Sequence, residues 1–191
     1  EELDAQAGKK TQGVIGYCRQ FKYADLRDVI ANRRPCYKDG LILILDSITD
    51  PQNLGSLIRT AYFFGANGVV IPENRAASVT AAVMKASAGA AHHLPVAMVK
   101  NLARALDELK EAGYWIYGTD AHGGEAVEQA DFSGHVGLVM GSEGSGLRSL
   151  IHKKCDLMVS IPGSGEIDSL NVSVSAGIVL NRIHERRLKE I

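Results

Sequence analysis

The chain has 191 residues, of which 46% belong to the broad apolar set and 23% are charged, with 20 glycines and 5 prolines. These proportions are typical of one globular domain with a short appendage, and they exclude a disordered, collagen-like or disulfide-stapled chain. Because 21 basic and 22 acidic side chains leave a formal net charge of -1, a polyanionic partner would need a local basic surface.

The sequence carries no sign of a membrane or secreted protein. Its longest strongly apolar run, residues 41–45, is far shorter than the roughly 20 residues of a membrane span, and residues 1–4 have no basic or apolar leader. Cys18, Cys36 and Cys155 form no CxxC or Cys/His ligand spacing and suit reduced thiols. We therefore expect a soluble cytoplasmic protein with no membrane partner and no metal.

The elements in chain order indicate an α/β fold. Residues 1–39 contain a loop-like stretch at 8–13 and no sustained period, which predicts a tail or linker. From residue 41 short apolar runs alternate with helical stretches, which predicts a mainly parallel sheet with helices on both faces. The predicted strands are 41–46, 68–71, 95–98, 114–119, 136–140 and 157–161. The predicted helices follow residue 50 and stop at Gly65, span 78–88, begin at 102 and stop at Gly113, and span 171–189.

Three polar, glycine-containing loops follow predicted strands, where open α/β sheets bind their ligands. The first loop, residues 45–55, leads into a helix that carries Arg59 one turn after Gly55, and we expect Gly55 to leave room for a ligand beside that guanidinium. The alternative is a plain turn in which Asp50 or Asn53 caps the helix and Arg59 is solvated.

The second loop, residues 139–147, has three glycines in six residues directly after an apolar strand. Such a loop exposes backbone N–H and C=O groups to a ligand that approaches closely. Its order of glycines fits neither the dinucleotide-binding fingerprint nor the P-loop. The alternative is a simple turn with Glu143 as a solvated charge.

The third loop, residues 160–173, precedes the last helix. Ser169 or Asn171 can cap that helix, and its first amides can receive an anion, although capping alone would also explain these residues. No GxSxG elbow is present and no His and Asp are spaced as partners of these serines, so a serine hydrolase has little support.

Taken in this order, the three loops resemble the three motifs of the SpoU (TrmH-like) branch of the SPOUT RNA methyltransferases. Residues 50–55 with Arg59 resemble motif 1, residues 139–147 resemble motif 2, and Ile161 and Pro162 with residues 169–173 resemble motif 3. Within that family the motifs are most similar to the bacterial enzymes that methylate a guanosine 2'-hydroxyl in 23S ribosomal RNA.

The resemblance implies an α/β domain whose C-terminal segment forms a deep trefoil knot. General rules of chain connection disfavour such a topology. It implies that residues 40–191 are the catalytic domain, and that residues 1–39 are a linker and the remnant of an N-terminal RNA-binding domain. It also implies a homodimer that binds S-adenosyl-L-methionine in the knot, with RNA as the other partner. The cofactor-binding residues that it implies are Thr119, Gly141, Ile161 and Leu170.

The same resemblance points to five catalytic residues. These are Asn53, Arg59, Glu143, Ser169 and Asn171. Our hypothesis is that the two asparagines orient the ribose and Arg59, and that Glu143 positions the guanidinium or the cofactor. Because a guanidinium rarely gives up its proton, we expect Arg59 to stabilise negative charge and phosphate or water to take the proton.

RNA affinity is expected to come largely from phosphate contacts. Candidate contact residues are Arg33, Arg34, Lys38, Arg59 and Arg148. Three other interpretations stay open: a tRNA 2'-O-methyltransferase of the same family, a non-catalytic RNA-binding protein with this fold, and a nucleotide-dependent α/β enzyme.

Overall fold

The computed structural model describes residues 20–32, 34–165 and 169–189. The helices are α1 (Leu26–Ala31), α2 (Pro51–Phe63), α3 (Ala81–Ala86), α4 (Leu102–Glu111), α5 (Ser149–Lys154) and α6 (Val172–Leu188). The strands are β1 (Leu41–Leu45), β2 (Gly68–Pro72), β3 (Val96–Val99), β4 (Tyr114–Thr119), β5 (Glu125–Ala126), β6 (His135–Met140) and β7 (Leu157–Ser160). A turn of 3-10 helix spans Ala90–His92.

The seven strands form one sheet in the order β3-β2-β1-β6-β4-β7-β5, and each neighbouring pair is parallel. The centre of the sheet pairs β1 with β6, with Leu41 opposite Val136 and Leu45 opposite Met140. This architecture confirms the predicted parallel α/β class. It also brings the loops after β1 and β6 together, although about 90 residues separate them in the chain.

Helices cover both faces of the sheet, which explains why β1 is apolar at every position. Leu41, Leu43 and Leu45 pack in one core cluster with residues of α2 and α6, whereas Ile42 and Ile44 pack in a second cluster with residues of α1, α4 and α5. All five side chains are fully buried. The alternation along one strand therefore divides the core into two layers.

The six predicted strands and the four predicted helices are all present, within a few residues of their predicted bounds. Four short elements of the described residues are additional: α1, α5, β5 and the turn of 3-10 helix. The first lies in the stretch that we expected to be a tail or linker. There Val29 is buried and the amide of Ala24 donates to the carbonyl of Val96 at 2.9 Å, so residues 24–31 pack on β3. Residues 1–19 lie outside the described residues.

The end of α6 is held to the start of the domain by Arg187, whose side chain is buried. Its guanidinium donates to the carbonyl of Asp39 at 2.6 Å and to that of Gly65 at 3.3 Å, and it lies 3.9 Å from the centre of the Tyr37 ring. Burial lowers the pKa of Arg187 from its usual value. These contacts fix the last helix against the segment that leads into β1.

Candidate active site

Three side chains from distant parts of the sequence meet where α2 and α6 begin. Asn171 donates from Nδ2 to Glu143 Oε1 at 2.5 Å and to Asn53 Oδ1 at 3.1 Å. Asn53 donates from its own Nδ2 to the same Glu143 oxygen at 3.3 Å. We call these three residues the Asn–Glu–Asn cluster. Three of the five predicted catalytic residues are therefore in direct contact.

Helix capping orients two elements of this site. Asp50 caps α2 by accepting from the amides of Gln52 and Asn53, so Asp50 rather than Asn53 is the cap. Asn171 caps α6 with Oδ1, which accepts from the amides of Ser173 and Val174 at 2.9 and 3.4 Å. Because Oδ1 is used for capping, the amide nitrogen of Asn171 must face Glu143 and Asn53.

Glu143 is more than a solvated charge on a glycine turn. Its Oε1 also accepts from the amide of Val172 at 3.1 Å, which is the first residue of α6. A carboxylate is favoured at that position because the N-terminus of a helix carries partial positive charge. Glu143 thus ties the loop after β6 to the start of α6.

Sequence reasoning missed one contributor to this cluster, Ser173. Its hydroxyl lies 3.4 Å from Asn53 Oδ1 and 3.5 Å from the Asn53 carbonyl. The sequence could have indicated this contact, because Ser173 follows the Asn171 cap by two residues and therefore lies in the first turn of α6.

The glycine-rich loop between β6 and α5 is shaped by its own backbone. The amides of Ser142 and Gly146 each donate to the other residue's carbonyl, at 3.2 and 3.0 Å. Gly144 and Gly146 have φ of +84° and +63°, a conformation that favours glycine. A side chain at Gly141 would collide with the backbone of Gly146 and Leu147. The three glycines are therefore needed to close this turn.

A buried carboxylate, also missed from the sequence, anchors the far end of the loop. Asp46 follows β1 and is fully buried, and its oxygens accept from Arg148 Nε at 2.6 Å and from the Arg148 amide at 2.9 Å. This pair links the carboxyl end of β1 to the residue before α5. The pair therefore fixes the 141–147 loop at the carboxyl ends of β1 and β6.

The predicted cofactor residues lie at the same edge of the sheet. Gly141, Thr119 and Ile161 stand at or directly after the ends of β6, β4 and β7, which are three consecutive strands in the sheet. Thr119 donates to the carbonyl of Val139 at 3.2 Å. Leu170 is 48% exposed and precedes Asn171, which places it beside the 141–147 loop.

The two remaining predicted catalytic residues, Arg59 and Ser169, form no hydrogen bond with the cluster. Both are exposed, and neither side chain has a hydrogen-bond or ion-pair partner among residues 20–32, 34–165 and 169–189. We expected Gly55 to leave room for a ligand beside Arg59, but the structure shows another role for this glycine. It is buried, and a Cβ there would meet Ala86 and, at 2.9 Å, the carbonyl of Val83, so Gly55 is required for the packing of α3 against α2.

The first turns of α2 and α6 border an open cavity of about 450 Å³ next to the cluster. Its lining residues are Gln52, Asn53, Ser56, Ala86, Asn171, Ser173 and Val174. The serine hydroxyls in this region have no histidine as a hydrogen-bond partner in the described part of the chain. The arrangement can orient hydroxyl groups of a ligand with amides and a carboxylate, but it provides no activated nucleophile.

Two other expectations concern ions and membranes. Among the residues with described positions, no three His, Cys, Asp or Glu side chains converge as metal ligands would. Likewise, none of the helices that the structure describes has the length and apolarity needed to cross a bilayer.

The five candidates for RNA phosphate contact do not share one surface role. Arg34 donates to the carbonyl of Ala66 at 3.1 Å and lies over the Tyr62 ring at 4.9 Å, so it is held within the protein. Arg148 is bound to Asp46 through Nε. Lys38 and Arg59 are exposed, and Arg33 lies outside the described residues.

The fold and the site define a class: a parallel α/β domain whose polar cluster and glycine loop lie at the carboxyl edge of its sheet. The family described as the SpoU rRNA Methylase family matches residues 40–181. The chain therefore belongs to this family, as its three motifs indicate.

Relatives agree with that assignment. The chain is 48% identical over 176 residues to an uncharacterized tRNA/rRNA methyltransferase of Synechocystis, covering 92% of this chain but 46% of that protein. It is 42% identical over 187 residues to a putative TrmH family tRNA/rRNA methyltransferase of Bacillus subtilis, covering 98% of this chain and 75% of that protein. The chain thus spans less than half the length of the first of these relatives.

Solved structures resemble the chain as well. The SpoU methyltransferase AviRb from Streptomyces viridochromogenes, in complex with AdoMet, superposes with a TM-score of 0.76 at 30% identity, covering 86% of this chain and 62% of that one. An AdoMet-bound rRNA methyltransferase from Sinorhizobium meliloti gives a TM-score of 0.75 at 27% identity, covering 86% and 61%.

Proposed function

We propose that this chain transfers the methyl group of S-adenosyl-L-methionine to the 2'-hydroxyl of a guanosine in 23S ribosomal RNA. The observation that carries the proposal is the convergence of Asn53, Glu143 and Asn171, which come from three separate motifs, into one hydrogen-bonded cluster. Membership of the SpoU family and the AdoMet complexes of its structural relatives support the choice of donor and of RNA as substrate.

The residues present fit this donor. Adenine needs apolar walls and backbone hydrogen bonds, and Ile161 and Leu170 offer partly or fully exposed apolar side chains. The amides of Glu143, Gly144 and Ser145 have no acceptor among the described residues, so they are available to a ligand. We assign the donor to the crevice formed by this loop and the ends of β4, β6 and β7.

When bound, the donor supplies an electrophilic methyl group, and the protein's residues must align and stabilise the ribose oxygen that accepts it. We assign Asn53 and Asn171 to orienting the ribose. Glu143 holds both amides through Oε1, which makes it a positioning residue in this arrangement. Ser169, two residues before the cap of α6, is assigned to the wall of the donor crevice.

Arg59 is proposed to stabilise the negative character that develops on the ribose oxygen. Its guanidinium is exposed on α2 and has no carboxylate partner among the described residues, so it is available to substrate. A phosphate oxygen or water takes the hydroxyl proton, because a guanidinium remains protonated at any working pH.

We further propose a homodimer with the site near its interface. Val174 and Ile178 on α6 are 52% and 39% exposed, and Phe63 on α2 is 78% exposed. An exposed apolar surface of this kind favours burial against another copy of the chain. Val174 also borders the cavity beside the Asn–Glu–Asn cluster, so a partner would stand close to the substrate.

The remaining family features are proposed on the same basis. We propose that the segment after β7 threads through the loop after β6 as a deep trefoil knot, supported by the contact of Val172 with Glu143. Residues 40–191 would then be a cytoplasmic catalytic domain, and residues 1–39 a linker and remnant of an RNA-binding domain.

Methyl transfer from labelled donor to RNA tests the proposal. The chain is incubated with methyl-tritiated S-adenosylmethionine and either unmodified 23S ribosomal RNA or unmodified tRNA, in separate reactions. Both RNAs are used because the relatives' names include both classes. We expect label in 23S RNA, at one guanosine that becomes resistant to alkaline cleavage on its 3' side. Label only in tRNA would establish the alternative substrate, and donor binding without transfer to either RNA would support the non-catalytic alternative.

A further inference from the structure

A second groove lies at the carboxyl edge of the sheet, on the side covered by α4 and α5. It has a volume of about 320 Å³ and is formed by the loops after β2 and β3 together with the first residues of α4 and α5. Its polar lining residues are Asn74, Arg75, Lys100, Asn101 and Arg148. None of the three motifs includes Arg75 or Lys100.

Two of the three cations that line this groove, Arg75 and Lys100, differ from neighbouring cations because they lack carboxylate partners among the described residues. On the same face, Lys110 pairs with Asp156 at 2.6 Å and Lys154 pairs with Asp107 at 2.5 Å. Arg75 and Lys100 are exposed, and within the described ranges no carboxylate forms an ion pair with either. Their positive charge is therefore uncompensated in a protein whose net charge is -1.

Backbone features of the groove also favour an anion. The side chain of Asn101 caps α4 by accepting from the Arg104 amide at 3.1 Å. The amides of Leu102 and Ala103, which line the groove, have no acceptor among the residues the structure describes. The N-terminus of this ten-residue helix therefore adds free N–H groups to the two cations.

The groove is connected to the Asn–Glu–Asn cluster through Arg148. That residue lines the groove and is bound to Asp46, which fixes the end of the loop that carries Glu143. The strands β3, β2 and β1 are consecutive in the sheet, so the groove and the cluster lie side by side along one edge. A polymer could occupy both, whereas a small anion would need only one.

We propose that this groove binds the phosphate backbone of single-stranded RNA that flanks the methylated nucleotide. This inference rests on the proposed function for the identity of the polymer. Arg75 and Lys100 neutralise phosphates, and the exposed Leu150 forms an apolar wall for a base or ribose. Tethering the strand here and at the catalytic cluster would hold the target ribose in place.

A charge-reversal experiment tests the groove. The variant Arg75→Glu/Lys100→Glu is compared with Lys22→Glu/Arg27→Glu, which changes charge equally at exposed positions around the opposite, amino end of β3. A neutral variant, Arg75→Gln/Lys100→Gln, and a thermal melt of each protein show whether a loss of binding comes from misfolding. The probe is a fluorescein-labelled 20-nucleotide single-stranded RNA, followed by anisotropy over a range of salt concentrations.

The groove variant is expected to bind this RNA at least about tenfold more weakly at low salt. The slope of the logarithm of the binding constant against the logarithm of the salt concentration should decrease in magnitude by about 1.4, since each single-strand phosphate contact contributes about 0.7. The neutral variant should show the same loss of slope, and the control pair should match the unmodified chain. S-adenosylmethionine binding should not change in any variant.

Unchanged RNA affinity and slope in the groove variants would overturn the inference, as would an unmodified chain that fails to bind the RNA. Complete displacement of the RNA by poly-L-glutamate at equal charge would also overturn it, in favour of an acidic polypeptide partner. The proposed function fails separately: a chain that binds RNA through the groove but transfers no methyl group would keep this inference and refute the activity.

Discussion

The side-chain amide of Asn171 donates to the carboxylate of Glu143 at 2.5 Å, and 28 residues separate the two in the chain. Asn171 also caps α6, so one side chain both starts the last helix and binds the glycine loop after β6. The geometry of the candidate active site is therefore coupled to the folding of the C-terminal helix. Separating these two roles is the sharpest test of the site.

Replacing Asn171 with serine should separate capping from bridging. Serine caps helices almost as well as asparagine but cannot reach Glu143 with an amide, so the free energy of unfolding should change by less than about 1 kcal/mol. The rate of methyl transfer should nevertheless fall at least tenfold, because Asn53 and Glu143 lose their common partner. Urea unfolding and single-turnover transfer measure the two effects.

Asn171→Ala provides the matched comparison for that variant, since it loses both roles and should cost a further 1 kcal/mol or so of stability. A wild-type transfer rate in Asn171→Ser would show that the bridge to Glu143 has no part in the reaction.

Arg59→Lys should slow the transfer step while leaving the fold intact. Lysine keeps the positive charge but not the forked donors of the guanidinium, and loss of one preorganised donor to a developing oxyanion costs about 10²-fold in rate. Arg59 is exposed and has no described side-chain partner, so the melting temperature should not move. Single-turnover methylation at saturating RNA measures this, and an unchanged rate would remove Arg59 from the chemical step.

The regular elements of the sheet could be predicted because their signals are local. β1 is five consecutive apolar residues, and α2 has Asp50 and Pro51 at its start and Gly65 after its end. The meeting of Asn53, Glu143 and Asn171 is different, since it depends on the placement of β1 beside β6. Strand order is a property of the whole chain, and only the resemblance of the motifs to a known family suggested this meeting in advance.

The elements that escaped prediction are short or depend on distant partners. α1 and α5 have six residues each, fewer than two turns, so their apolar period is too short to recognise, whereas the equally short α3 lies in an alanine-rich stretch. The roles of Asp46 and Gly55 were missed or misjudged because their partners, Arg148 and α3, are remote in sequence.

Gly141→Ala should disrupt the glycine loop more than the domain. The added methyl group would collide with the backbone of Gly146 and Leu147, which cannot move without opening the turn. We expect S-adenosylmethionine affinity to fall at least tenfold, as measured by calorimetry. Gly123→Ala is the control, because its Cβ would meet only Asp120 at an ordinary 3.9 Å. Equal affinity in the two variants would contradict the assignment of this loop to the donor crevice.

Arg187→Ala should destabilise the domain although it lies far from the catalytic cluster. The substitution leaves the carbonyls of Asp39 and Gly65 without their donor and removes the cation from the Tyr37 ring, so a loss of about 2–4 kcal/mol is expected. The neighbouring variant Arg186→Ala removes a partly exposed ion pair with Asp131 and should cost less than about 1 kcal/mol. Urea unfolding of the two variants compares them directly, and equal losses would contradict the anchoring role of Arg187.

Stability should fall in alkaline solution because two acids, the partly buried Cys155 and the buried Tyr117, must stay protonated in the folded state. Burial raises the pKa of the Cys155 thiol from 9.0 to about 12, and burial, followed by nearby carboxylates, raises that of Tyr117 from 10.0 to about 12. For an acid whose folded pKa is raised, the stabilising contribution is complete below the unfolded pKa and is lost as pH rises towards the folded value. The free energy of unfolding should therefore decline between pH 9 and 12, by up to about 1.4 kcal/mol per pH unit from Cys155.

Urea unfolding at pH 8, 9, 10 and 11 measures the slope of this decline. Cys155→Ala should reduce the slope from pH 9 upward and Tyr117→Phe only above pH 10, and a slope that neither variant changes would assign the alkaline loss to other groups.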